Sequence, residues 1–209
     1  SLPASRTHLH QALYIDGHLS SGLLPCLSKH HVTVTTLRDP VERALSWLFH
    51  TRRKLLQDPT AFAGVDFSQA GVVEPLLRGD LSALLRCPVF RARLSDMQCR
   101  WLGLDIDVGS MLGGERDSLR LAIHAALVDL DPDVALARAT CFLGEMALVG
   151  LVEQPEATAR MAGALVGLPF LKLPTENQNP DLHARGPLLY RERVDSQVIA
   201  WLDNIIRCD

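Results

Sequence analysis

Val32, Val34 and Leu37 lie among β-favouring threonines in "VTVTTL", a pattern that predicts a short strand over residues 32–37. Directly afterwards Val41, Leu45, Leu48 and Phe49 recur at helical spacing, predicting a helix from Pro40 to about Leu56. Asp39 suits the N-cap, Pro40 the first helical position, and Glu42 completes a D-x-x-E pattern of the capping-box kind. Upstream, "ALYID" (Ala12–Asp16) predicts a short buried strand and Ser20–Lys29 a helix. Downstream, the turn-rich "QDPTAFAGVDFSQAG" separates this unit from a helical middle region. There "SALLRCPVFRARLSDMQCRWLGL" breaks at Pro88, and Ser95 or Asp96 can cap a new helix. "GSMLGGERD" is a loop, and "SLRLAIHAALVDL" and "DPDVALARATCFL" are further helices. "MALVGLVE" (Met146–Glu153) has strand length, and "QPEATARMAGALVGL" is an amphipathic helix opened by Pro155 and Glu156. The polar "KLPTENQNPDLHARG" precedes a last helix within "PLLYRERVDSQVIAWLDNIIR". Strands alternating with helices predict an α/β fold whose central, mostly parallel sheet is flanked by helices.

Composition narrows the function without naming it. With 209 residues, 47% of them hydrophobic and 22% charged, the chain suits one globular domain with a substantial core. A formal net charge of -3 argues against general binding to nucleic acid or membrane surfaces, but leaves room for a local basic pocket. Five cysteines without a C-x-x-C pair suggest reduced thiols in a cytosolic setting.

Three polar residues follow apolar strands: His18, Arg38 and Glu153. In open parallel sheets, ligands bind beyond the carboxyl ends of strands. Arg38 and Ser46 stand eight residues apart, so positions 38, 42, 46 and 50 are expected along one side of the helix and its entry, opposite much of the apolar stripe. A guanidinium fork, a hydroxyl and a helix N-terminus all suit phosphate oxygens. Equally, Arg38 can pair with Asp39 or Glu42 and leave Ser46 an ordinary surface residue.

The string "LRDPVERALSW" resembles the 3′-phosphate-binding motif of sulfotransferases that use 3′-phosphoadenosine 5′-phosphosulfate (PAPS). It is most similar to the carbohydrate branch related to heparan sulfate 2-O- and 6-O-enzymes. "DGHLSSGL", "SDMQCRWLGL", "MALVGLVEQPEATARMAGALVGLP" and "LPTENQNP" resemble further family segments in the expected order. The resemblance implies a P-loop NTPase-like sulfotransferase fold over residues 1–209. It also implies that Arg38 and Ser46 grip the 3′-phosphate of PAPS, with the 3′,5′-bisphosphate PAP as product, and that no metal takes part. The family opens with a strand, a lysine-containing Gly/Ser/Thr loop for the 5′-phosphosulfate, and a helix. Only Ser1–Gly17 precede His18 here, and "SLPASRTHLHQ" holds no such loop, so that segment is expected to be missing from this chain.

Sulfuryl transfer to a hydroxyl needs a base, alignment of the acceptor oxygen with sulfur, and stabilisation of the departing phosphate. A neutral histidine suits the base, and His18 matches the family's Gly-His position. His8, His10, His30 and His31 lack further ligands nearby and read as surface residues, whereas His124 reads as the edge of a core. His50 reads either as bordering the cofactor or as ordinary helix surface. "HTRRK" (His50–Lys54) reads as a solvated helix face or as a receiver for an anionic acceptor. Gln98 and Arg100 fit either the site or a structural helix, Glu153 an anchoring role, and Trp47, Trp101 and Trp201 the core.

The function expected is therefore transfer of a sulfuryl group from PAPS to a hydroxyl acceptor, with a carbohydrate as the first expectation and no nucleic-acid partner. Two rivals differ in class. One is a non-catalytic sulfotransferase-like module that binds a nucleotide or a partner. The other is a P-loop kinase, which should carry G-x-x-x-x-G-K-[ST] and a magnesium-binding acid. A Golgi lumenal enzyme freed of a membrane anchor is the alternative to a cytoplasmic one.

Overall fold

The computed structural model describes residues 30–58, 73–88, 91, 94–105, 123, 125–168 and 194–206. Contacts divide the chain into two compact units. One is drawn from Ser1–Leu37, Asp96–Phe170 and Cys208–Asp209, the other from Arg38–Ser95 and Leu171–Arg207.

The first unit holds a parallel strand pair, β1 (Val34–Leu37) and β2 (Leu148–Leu151). Val34 lies opposite Leu148 and Leu37 opposite Leu151, so both carboxyl ends lie at one end of the sheet. Val152 N–H extends the ladder to Leu37 C=O at 2.8 Å. Among the described residues the sheet has two strands, a mixed α/β arrangement dominated by helices. The strand expected at residues 12–16 and the helix expected at 20–29 lie outside the described residues.

Two helices of this unit, α4 (Met97–Gly103) and α5 (Pro132–Gly144), cross so closely that a Cβ on Gly103 would sit 2.4 Å from Ala135 O. Glycine is what permits the crossing. Leu37 of β1 packs on the cluster they form from Cys99, Leu102, Ala139 and Phe142. Asp131 caps α5 by accepting from Asp133 N and Val134 N, as the Asp-Pro entry predicts. Asp96 occupies the N-cap position of α4 with φ 49° and makes no side-chain cap bond there, so the cap expected of it is not formed. Helix α6 (Pro155–Leu165) buries Thr158 against β2, while Met161 and Leu165 are exposed.

The described residues of the second unit are mostly helical. Helix α1 (Pro40–Gln57) presents Val41, Ala44, Leu45, Leu48 and Leu55 to a core shared with α2 (Val73–Arg78), α3 (Leu81–Arg86) and α7 (Ser196–Ile205). Leu76, Leu84, Leu85, Leu94, Val198 and Leu202 complete it. The sequence pattern does not predict α2. Its six residues are too few to show a period, and Pro75 is tolerated because it falls in the first turn. Gly79, at φ 76°, ends α2 in the left-handed conformation that favours glycine.

Candidate functional site

Arg38 and Asp39 join β1 to α1, as the pattern predicts, and they shape the helix start. Asp39 Oδ1 accepts from Glu42 N at 2.9 Å, and Asp39 C=O from Arg43 N at 2.8 Å. Pro40 has no N–H. Pro40 and Glu42, two positions of the first turn, therefore have no backbone donor to offer a ligand. The helix start is thus a weaker anion trap than four orphan N–H groups would make, and any anion here depends mainly on side chains.

Of the side chains, Arg38 is the best placed. Its Nη2 lies 3.8 Å from Glu42 Oε2, and its side chain remains 26% exposed against 2% for Glu42. This realises the pairing of Arg38 with Glu42 that the i,i+4 spacing allows, while part of the arginine side chain still reaches solvent. Glu42 does not line a solvated stripe with positions 38, 46 and 50. It sits at the margin of the apolar face, buried beside Val41, Ala44 and Leu45. Ser46 is half-buried on α1, about 9 Å further along the axis than Pro40.

The other arginines of α1 are committed elsewhere. Arg43 Nη2 donates to Leu94 C=O at 3.3 Å, and Arg52 Nε to Leu77 C=O at 3.1 Å, where it secures the end of α2. "HTRRK" is thus only partly a solvated face. Arg53 Nη2 lies 3.2 Å from His50 Nδ1; a guanidinium can only donate, so Nδ1 accepts and the neutral ring carries its proton on Nε2. Partial burial, then Lys54 and Arg53, lower the pKa of His50 below its usual value. With Nδ1 occupied and Nε2 protonated, His50 is poorly suited to be a base.

Arg100 is buried, and its Nη1 donates to the carbonyls of Leu127 at 2.7 Å, Val128 at 3.0 Å and Leu130 at 2.7 Å. These close the helical stretch at residues 125–129, so the structural reading of Arg100 has direct support. Glu153 is exposed in the turn after β2. His18, His8, His10 and His124 lie outside the described residues. Cys87, Cys99 and Cys141 form no disulfides, and among the described residues no group of three or more His, Cys, Asp or Glu could hold a metal ion. Among the same residues, no helix is long and apolar enough to cross a membrane.

Arg38 offers a partly exposed guanidinium fork just before α1 and Ser46 a half-buried hydroxyl on it, donor types that suit phosphate oxygens, against the opposing charges of Asp39 and Glu42. No protein-family model matches the chain, and neither a curated protein nor a solved structure matches it.

Proposed function

We propose that the chain is a PAPS-dependent sulfotransferase acting on a hydroxyl group, with a carbohydrate as the leading acceptor class. The observation that carries this reading is the position of Arg38, which directly follows a parallel strand, reaches solvent at the start of α1, and has Ser46 two turns further on. Together with the string "LRDPVERALSW", this is an arrangement suited to the 3′-phosphate of an adenosine nucleotide.

Under this proposal the bound donor supplies an activated sulfuryl group. Arg38 and Ser46 hold its 3′-phosphate and so fix the nucleotide. His18 takes the proton from the acceptor hydroxyl as that oxygen forms its bond to sulfur and the bond from sulfur to the phosphate oxygen breaks. Fixing the donor and acceptor in line would contribute most of the rate, as in related phosphoryl chemistry. Incubation of the full-length protein with sulfur-labelled PAPS and a panel of oligosaccharides tests the proposal. Label should move to carbohydrate and PAP should inhibit the transfer; a protein that binds PAP but transfers no label to any acceptor would be the non-catalytic module.

A further inference from the structure

Glu42 lies 2% exposed within the first turn of α1, flanked by Val41, Ala44 and Leu45, which are 4%, 0% and 0% exposed. A carboxylate so placed is costly unless a cation compensates it. Arg38 stands 3.8 Å away with its side chain partly in solvent. The two residues differ in freedom. Glu42 belongs to a helix whose backbone at that residue is held by Asp39 Oδ1, and its carboxylate cannot turn to water without leaving the protein interior. Arg38 is the longer, partly exposed partner, a side chain type that loses considerable rotamer entropy on being ordered by a ligand alone.

We infer that Glu42 is the positioning residue of the anion site: its buried carboxylate holds the inner side of the Arg38 guanidinium and directs the solvent side of the fork toward a phosphate. This deepens the sulfotransferase reading and rests on it. The guanidinium has five N–H donors in a rigid fork, enough for a carboxylate on one edge and a phosphate on another. The Glu42 charge also repels the incoming phosphate. Holding outweighs repulsion because the phosphate docks on the solvent side, where water screens it, whereas the carboxylate and guanidinium meet where water is scarce.

The pairing complicates the obvious experiment. Arg38→Ala withdraws the cation beside the buried Glu42 and can perturb the helix start for reasons unrelated to any ligand. Glu42→Gln keeps the shape and removes the charge. The test is calorimetry of the full-length protein with adenosine 3′,5′-bisphosphate and with adenosine 5′-monophosphate, the ratio of affinities reporting the 3′-phosphate alone. The parent should prefer the bisphosphate by about tenfold or more, the worth of one charge-assisted contact. Glu42→Gln should reduce that preference at least about threefold and leave the monophosphate affinity unchanged, a split that general loss of structure would not give. A parent that prefers the bisphosphate and a Glu42→Gln variant that prefers it as strongly, or more so, would overturn the positioning role alone. A parent that does not distinguish the two nucleotides would overturn the sulfotransferase reading and this role with it.

Discussion

The Thr158 hydroxyl and the backbone of Leu151 bond in both directions: Oγ1 accepts from Leu151 N at 3.1 Å and donates to Leu151 C=O at 3.2 Å. One side chain of α6 thereby satisfies the last residue of β2, whose outward backbone groups a parallel strand would otherwise leave open. The same closeness fixes Gly150, where an added Cβ would lie 2.1 Å from Thr158 Cγ2. Gly150→Ala should therefore destabilise the protein by about 1–3 kcal/mol through overpacking. Thr158→Val, which keeps the volume and loses both bonds, should cost about 1–3 kcal/mol. Chemical denaturation read by circular dichroism checks both values.

Arg100 should matter for stability and not for nucleotide affinity. Arg100→Met retains much of the apolar stem but withdraws the donor shared by the carbonyls of Leu127, Val128 and Leu130. The expected loss is about 1.5–3 kcal/mol of unfolding free energy, with bisphosphate affinity unchanged. A stable variant that loses nucleotide binding would return Arg100 to the site.

His50 should titrate below the ordinary histidine value of about 6.5. Since its folded pKa is the lower one, the unfolded chain binds more protons between that value and 6.5. Its effect on stability is thus complete above about pH 6.5 and is lost as pH falls through that window. The ring-proton resonance that disappears in His50→Gln should show the lowered midpoint. Replacing Lys54 and Arg53 with glutamine should raise it only partway, because burial is the leading cause. A full return to 6.5 would contradict that order.

How much the sequence disclosed depends on the range of each interaction. Helix α1 was legible to within a residue because its apolar period, Asp39 cap and Pro40 start are local signals. Helix α5 and strand β2 were legible for the same reason. Other features depend on distant partners. The pairing of β1 with β2 spans more than a hundred residues, and the carbonyls held by Arg100 lie 27 to 30 residues away. The exposure of Met161 and Leu165 likewise depends on what packs against α6, which periodicity does not reveal. At the site, spacing brought out Arg38 and Ser46, and Glu42 was visible as a possible partner. Its burial was not visible, because the width of an apolar face depends on the helices packed against it.

The claim that Arg38 and Ser46 hold a 3′-phosphate is tested most directly by nucleotide affinity in a variant that leaves no buried charge behind. In the full-length protein, Arg38→Ala combined with Glu42→Gln removes the guanidinium and its counter-charge together, and Ser46→Ala removes the hydroxyl. Calorimetry should show adenosine 3′,5′-bisphosphate binding about ten- to a hundredfold more weakly to the double variant than to the parent, and a few-fold to about tenfold more weakly to Ser46→Ala. Adenosine 5′-monophosphate should bind all three proteins alike. Bisphosphate binding as tight in a folded double variant as in the parent would contradict the assignment of Arg38, and with it the account of this helix start as a phosphate site.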